Sequence, residues 1–85
     1  MSERFFFESS GLSCVAKEID NRNVNLNFKD NSSCVLETNF KFRSYEEMCT
    51  VIRFICNNNL DIVHIPEVLS EYSNFPTLFL ESIKQ

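Results

Sequence analysis

Four cysteines and one histidine are the residues of this chain best suited to covalent or metal chemistry. Cys14, Cys34, Cys49 and Cys56 include no Cys-x-x-Cys pair, and the closest two, Cys49 and Cys56, are seven positions apart. On a helix that separation is about 10 Å of rise, too long for one disulfide or one metal ion. A structural zinc site draws four closely spaced Cys and His ligands, and His64 is the single imidazole. No cofactor and no metal are expected, and the cysteines read as reduced, buried thiols that act as small hydrophobes. A Cys–His nucleophile and base needs a third group to orient it, and none is signalled. His64 lies in the apolar run Ile62-Val63-His64-Ile65, read as a strand that holds a structural histidine.

Carboxylates come in two pairs, Glu46 with Glu47 and Glu67 with Glu71. The first has a structural explanation. Ser44-Tyr45-Glu46-Glu47 is a capping box, in which the serine hydroxyl accepts the amide three residues on and the glutamate reaches back. The second is a like-charge pair spaced i, i+4, mildly destabilising on a helix, which reads as a solvated face or as an acidic binding patch. Tyr72 and Phe75 follow within a short segment bounded by Pro66 and Pro76. Rings supply desolvated contact and acids steer a basic partner. Asp61, Glu67, Glu71, Tyr72 and Phe75 are therefore the candidate partner-binding residues, and no catalytic residue is proposed.

Other chemistries lack their parts. One glycine, Gly11, cannot build a phosphate-cradling loop. Nucleic-acid binding needs a basic footprint. Here six acids balance six bases up to Arg43, and six acids face two bases from Ser44 onward, so the net charge of −4 resides in the second half. Arg4, Lys41 and Arg43 are scattered bases in a neutral half. The asparagines at 23, 25, 27 and 57–59 read as a hydrated sheet face and as turn residues.

These residues must be positioned by short elements. Residues 4–8 read as a strand whose three phenylalanines reach both faces, so that the strand is either buried on both sides or exposes one ring to a partner. Ser9-Ser10-Gly11 breaks it. Residues 12–19 fit a helix through Leu12, Val15, Ala16 and Ile19, with Ser9 or Ser10 as cap, and fit a strand through Leu12, Cys14 and Ala16; the helical spacing matches more positions. Residues 24–29 alternate as a strand, pair across the turn 30–33 with residues 34–42, and make a hairpin with one apolar and one asparagine-rich face. The main helix spans 44–58 with an apolar stripe of Met48, Val51, Ile52 and Ile55, ended by Asn57-Asn58-Asn59. A short strand at 60–65, a helix opened by Pro66 and broken at Asn74-Phe75-Pro76, and a last strand or docked tail at 77–82 complete the chain.

The whole is one α+β domain over residues 1–85, a small two-layer antiparallel sheet with one main helix packed on it. With 12–19 helical, the order β-α-β-β-α-β is ferredoxin-like; with 12–19 extended, it is an antiparallel sheet crossed by one helix. The start has acids on both sides of a three-residue apolar run, unlike a secretory leader, and no stretch approaches the roughly 18 apolar residues of a membrane span. A cytoplasmic protein without membrane or direct nucleic-acid contact is expected. Its expected function is stoichiometric binding to a protein partner with a basic surface, as immunity proteins, antitoxins and phage-encoded inhibitors act. The alternative is a subunit of a larger assembly or a homodimer using the Phe5-Phe6-Phe7 edge, and a small Cys/His enzyme ranks last.

Overall fold

The computed structural model describes residues 3–9 and 11–84. Met1 and Ser2, at the start of the chain, and Ser10, read as a cap or a break, lie outside the described residues. Four strands come first, β1 (Arg4–Ser9), β2 (Leu12–Asp20), β3 (Asn23–Asp30) and β4 (Val35–Lys41), and helices follow, α1 (Tyr45–Asn57), α2 (Ile65–Asn74) and α3 (Pro76–Ser82). The strands form one antiparallel meander in the order β1-β2-β3-β4. The helices cover one face of it, giving a flat two-layer molecule of 35 × 32 × 18 Å.

Residues 12–19 are extended, which corrects the helical reading and removes the ferredoxin-like order. Leu12, Cys14 and Ala16 are buried, whereas Val15 and Ile19, which the helical stripe would have buried, are exposed. The segment is short, so its weak local preference yields to pairing on both sides, with Phe6 opposite Val15 and Val15 opposite Asn27. The turns enforce this. Asn21 and Arg22 both take positive φ, 40° and 68°, the two-residue hairpin geometry whose twist matches that of the strands. Gly11 has φ of 100°, and a Cβ there would lie 2.8 Å from Asn59 Oδ1. Asp30 closes the third turn by accepting the Ser32 and Cys34 amides at 2.9 Å.

Val24, Leu26 and Phe28 point inward and are buried. On the open face Asn25 Nδ2 donates to Asn39 Oδ1 at 2.9 Å and to Glu37 Oε2 at 3.0 Å, on the polar, asparagine-rich side that the alternation predicts. In β1, Phe7 faces the core, Phe5 is half-buried, and Phe6 is 65% exposed on the open face. The strand thus offers one ring outward.

α1 follows its stripe, with Met48, Val51, Ile52, Ile55 and Cys56 buried. Ser44 Oγ accepts the Glu47 amide at 3.1 Å, as the cap requires. The three asparagines end the helix in a Schellman turn. The Leu60 amide donates to Ile55 O and the Asn59 amide to Cys56 O, with Asn59 in the left-handed region at φ 51°.

Two short elements differ from their readings. Residues 60–65 contain a 3-10 turn (Ile62–His64) that runs into α2, not a strand, and His64 is exposed at the head of that helix. Residues 77–82 belong to α3, not to a strand or tail. Pro66 and Pro76 each sit in a first turn, where a missing N–H costs nothing. An apolar run of three is ambiguous in period. Here Phe79 packs edge-on to Phe54, ring centroids 5.8 Å apart, and against Tyr72 at 6.1 Å. That places α3 against both other helices.

Candidate functional site

Of the five residues singled out in the sequence, the structure gathers two on one surface with a flanking third. α2 turns Ile65, Leu69 and Tyr72 inward. Val68 is half-buried against the core, while Pro66, Glu67, Ser70 and Glu71 face solvent, so Glu67 and Glu71 stand one turn apart on one flank. Phe75 breaks the helix with φ −136° and ψ 65°, a consequence of the proline that follows it, and its ring is left 61% exposed. α3 starts at once, and Leu78, one turn beyond Phe75, is 66% exposed. Glu71, Phe75, Leu78, Phe79 and Ser82 line an open groove of about 300 Å³. Its walls are apolar and one rim is acidic.

Tyr72 does not join that surface. It is 1% exposed, surrounded by Phe40, Phe42 and Phe79 with centroids 5.7 to 6.1 Å away. Its reading as a partner anchor is corrected to a core residue. The cause is the i+3 relation to Leu69, which sets both on the inward stripe of α2. Its hydroxyl donates to Glu47 Oε1 and accepts the Arg43 amide at 3.3 Å, so the buried polar tip is satisfied. Asp61 is exposed but precedes the 3-10 turn, at the end of α2 away from Phe75, and does not line the groove. Leu78 was missed because 77–82 read as a strand or tail. Its signal was the spacing Phe75, Leu78, Phe79, Ser82 behind a helix-starting proline.

The acids differ in what they meet. Among the described residues the one ion pair joins Arg43 to Glu47, at 2.7 and 2.9 Å. The paired guanidinium, aided by the Tyr72 hydroxyl, holds the Glu47 carboxyl below its ordinary range against the opposing effect of burial. Glu47 therefore does not complete the capping box by reaching back to Ser44; Arg43 and Tyr72 take its oxygens. Arg22 also donates to Arg43 O, which ties the β2–β3 turn to this point. Asp61, Glu67, Glu71 and Glu81 have no cationic partner within 4 Å among the described residues.

The thiols are dispersed. Burial, with Cys56 beside it, pushes the Cys14 thiol up to about 12, and burial alone pushes Cys56 to about 11. Both stay protonated near neutrality and are poor nucleophiles. Cys34 is exposed in the β3–β4 turn and Cys49 half-buried on α1. Among the described residues no three His, Cys, Asp or Glu side chains are grouped to hold a metal ion, and no helix is long and apolar enough to cross a membrane. Comparisons with protein-family models, curated proteins and solved structures give no match.

Proposed function

We propose that this chain is a binding module that acts by stoichiometric association with a protein partner, without catalysis, and that the α2–α3 corner is the surface it uses. One observation carries the reading. Phe75 and Leu78 are exposed side by side over a groove whose neighbouring acids, Glu67 and Glu71, have no cationic partner among the described residues. Exposed large apolar groups set together are an interaction signal where scattered ones are not. Burying the two rims of such a groove against a partner supplies desolvated anchors. The unpaired acids favour a partner segment that places lysine or arginine beside its own apolar residues. This is the mode of small acidic inhibitors and modulators in the class of immunity proteins and antitoxins.

The test is capture by the tagged chain, followed by mass spectrometry and kinetics on the purified pair. A single stoichiometric protein is expected. Glu67→Lys with Glu71→Lys should slow its association, most at low salt, and Phe75→Ser with Leu78→Ser should speed its dissociation. Binding unchanged in both double variants refutes the corner as the site. Recovery of nucleic acid alone, or a turnover abolished by His64→Ala, refutes the reading as a whole.

A further inference from the structure

We infer that β1 is a self-complementary edge through which two copies of the chain join into one continuous antiparallel sheet. β1 ends the meander and so carries a row of backbone donors and acceptors with no strand beside it among the described residues, the usual template for strand addition. Nothing blunts it. It contains no proline, and its register with β2 runs from Arg4 to Ser9 without a bulge.

The alternation of the ladder identifies which groups are free. The Glu18 amide donates to Glu3 O at 2.9 Å, one step beyond the pairing of Arg4 with Lys17. Residues along an antiparallel strand turn their N–H and C=O alternately to one neighbour and the other. Glu3, Phe5, Phe7 and Ser9 therefore address β2, and Arg4, Phe6 and Glu8 present theirs at the free edge. A two-fold axis through Phe6 pairs this set with itself: Phe6 meets the partner's Phe6, and Arg4 meets the partner's Glu8 twice over. An axis through Phe5 would set Arg4 against the partner's Phe6, and one through Phe7 would set Phe6 against the partner's Glu8. Only the Phe6 axis matches opposite charges. Arg4 gains most, because within its own sheet it lies opposite Lys17, a repulsive cross-strand pair, with no acid within 4 Å among the described residues.

The covered face agrees. The Phe5 ring lies 5.7 Å from Tyr45 at the start of α1, while Arg53, Cys56 and Asn57 near its end line a cleft of about 290 Å³ with Phe6, Phe7 and Glu8. α1 thus runs alongside β1. The same axis sets the two copies of α1 antiparallel, and Phe5 opposite the partner's Phe7 extends the apolar layer. Glu46 and Arg53, two turns apart on one flank and both exposed, then face each other across the axis. β4 is the other edge, and an axis through Asn39 would also oppose Glu37 to Lys41. There the side chains are already engaged, since Asn25 bonds both Glu37 and Asn39. Pairing through β1 alone closes at two copies.

Analytical ultracentrifugation of the full chain from micromolar to millimolar concentration is the test. The wild type should approach twice the 10.0 kDa chain mass. Arg4→Glu and Glu8→Arg should each raise the dimer dissociation constant about thirtyfold, because symmetry repeats every reversed pair. An equimolar mixture of the two variants should restore dimers, since each then meets the opposite charge. Phe6→Pro should give a monomer with unchanged circular dichroism, because the N–H it removes points away from β2. A wild type that stays monomeric at millimolar concentration overturns the inference. So do dimers indifferent to Arg4 and Glu8, which would point to β4, and variants whose mixture does not reassociate.

Discussion

Glu47 and Glu71 are both glutamates at the flank of a helix, and their surroundings give them opposite meanings. Glu47 accepts from Arg43 and from Tyr72, whose ring is packed among Phe40, Phe42 and Phe79. Glu71 faces an open apolar groove with no cation near it among the described residues. A carboxylate whose oxygens are all used fixes the joint between helix layer and sheet. One without a cationic neighbour among the described residues, beside the exposed Phe75 and Leu78, contributes little to the fold, and on the reading proposed above it serves a partner. Sequence position does not separate the two; the presence of a buried donor does.

The Glu47 joint depends most on Tyr72. Tyr72→Ala should destabilise the protein by about 3–5 kcal/mol, since a large ring leaves a close-packed cluster, and should appear as a large fall in urea midpoint. A small change would mean that the Glu47 joint does not depend on that ring. Next is Ser44→Ala, expected to cost about 1 kcal/mol as the Glu47 amide loses its acceptor; an unchanged midpoint would show that the cap is dispensable.

A pH series with Glu47→Gln sharpens the electrostatic half. The folded-state pKa of Glu47 is lowered. Its ionised form therefore contributes stability that is present above the unfolded-state value of about 4.3 and lost as pH falls through the folded value. Wild type should exceed the variant near neutrality, and the gap should close in acid below that value. A gap constant with pH would assign the effect to side-chain shape alone. The smallest stability effect belongs to the corner. Glu67→Lys with Glu71→Lys should shift stability by no more than about 0.5 kcal/mol, as exposed substitutions do, while altering partner association. Marked unfolding in that variant would mean these acids serve the fold after all.

How much was legible in the sequence varied with the range of the interactions involved. α1 could be read from Ser44, its apolar stripe and its asparagine stop, because cap, stripe and stop all lie within the helix and its flanks. The hairpin of β3 and β4 was legible for the same reason, as alternation across a short turn. β2 was not, since Leu12, Val15, Ala16 and Ile19 satisfy one period while Leu12, Cys14 and Ala16 satisfy the other. Gly11 beneath Asn59, and the positive φ of Asn21 and Arg22, decide between them. In the candidate site, the exposure of Glu67, Glu71 and Phe75 follows from charge and proline spacing, while the side on which Tyr72 falls does not.

From the residues alone follow the α+β class, the single histidine and single glycine, and the charge imbalance between the two halves. That imbalance becomes one between layers because strands occupy the first half and helices the second. Only long-range packing sets that Tyr72 is core and Leu78 is surface, that Phe6 is the β1 ring turned outward, and that the backbone of Arg4, Phe6 and Glu8 has no strand beside it among the described residues. The physical reason is common to all four. Burial and hydrogen-bond pairing depend on which distant segment lies alongside, and in a meander that partner is set by turn geometry and close packing, not by the local period of the chain.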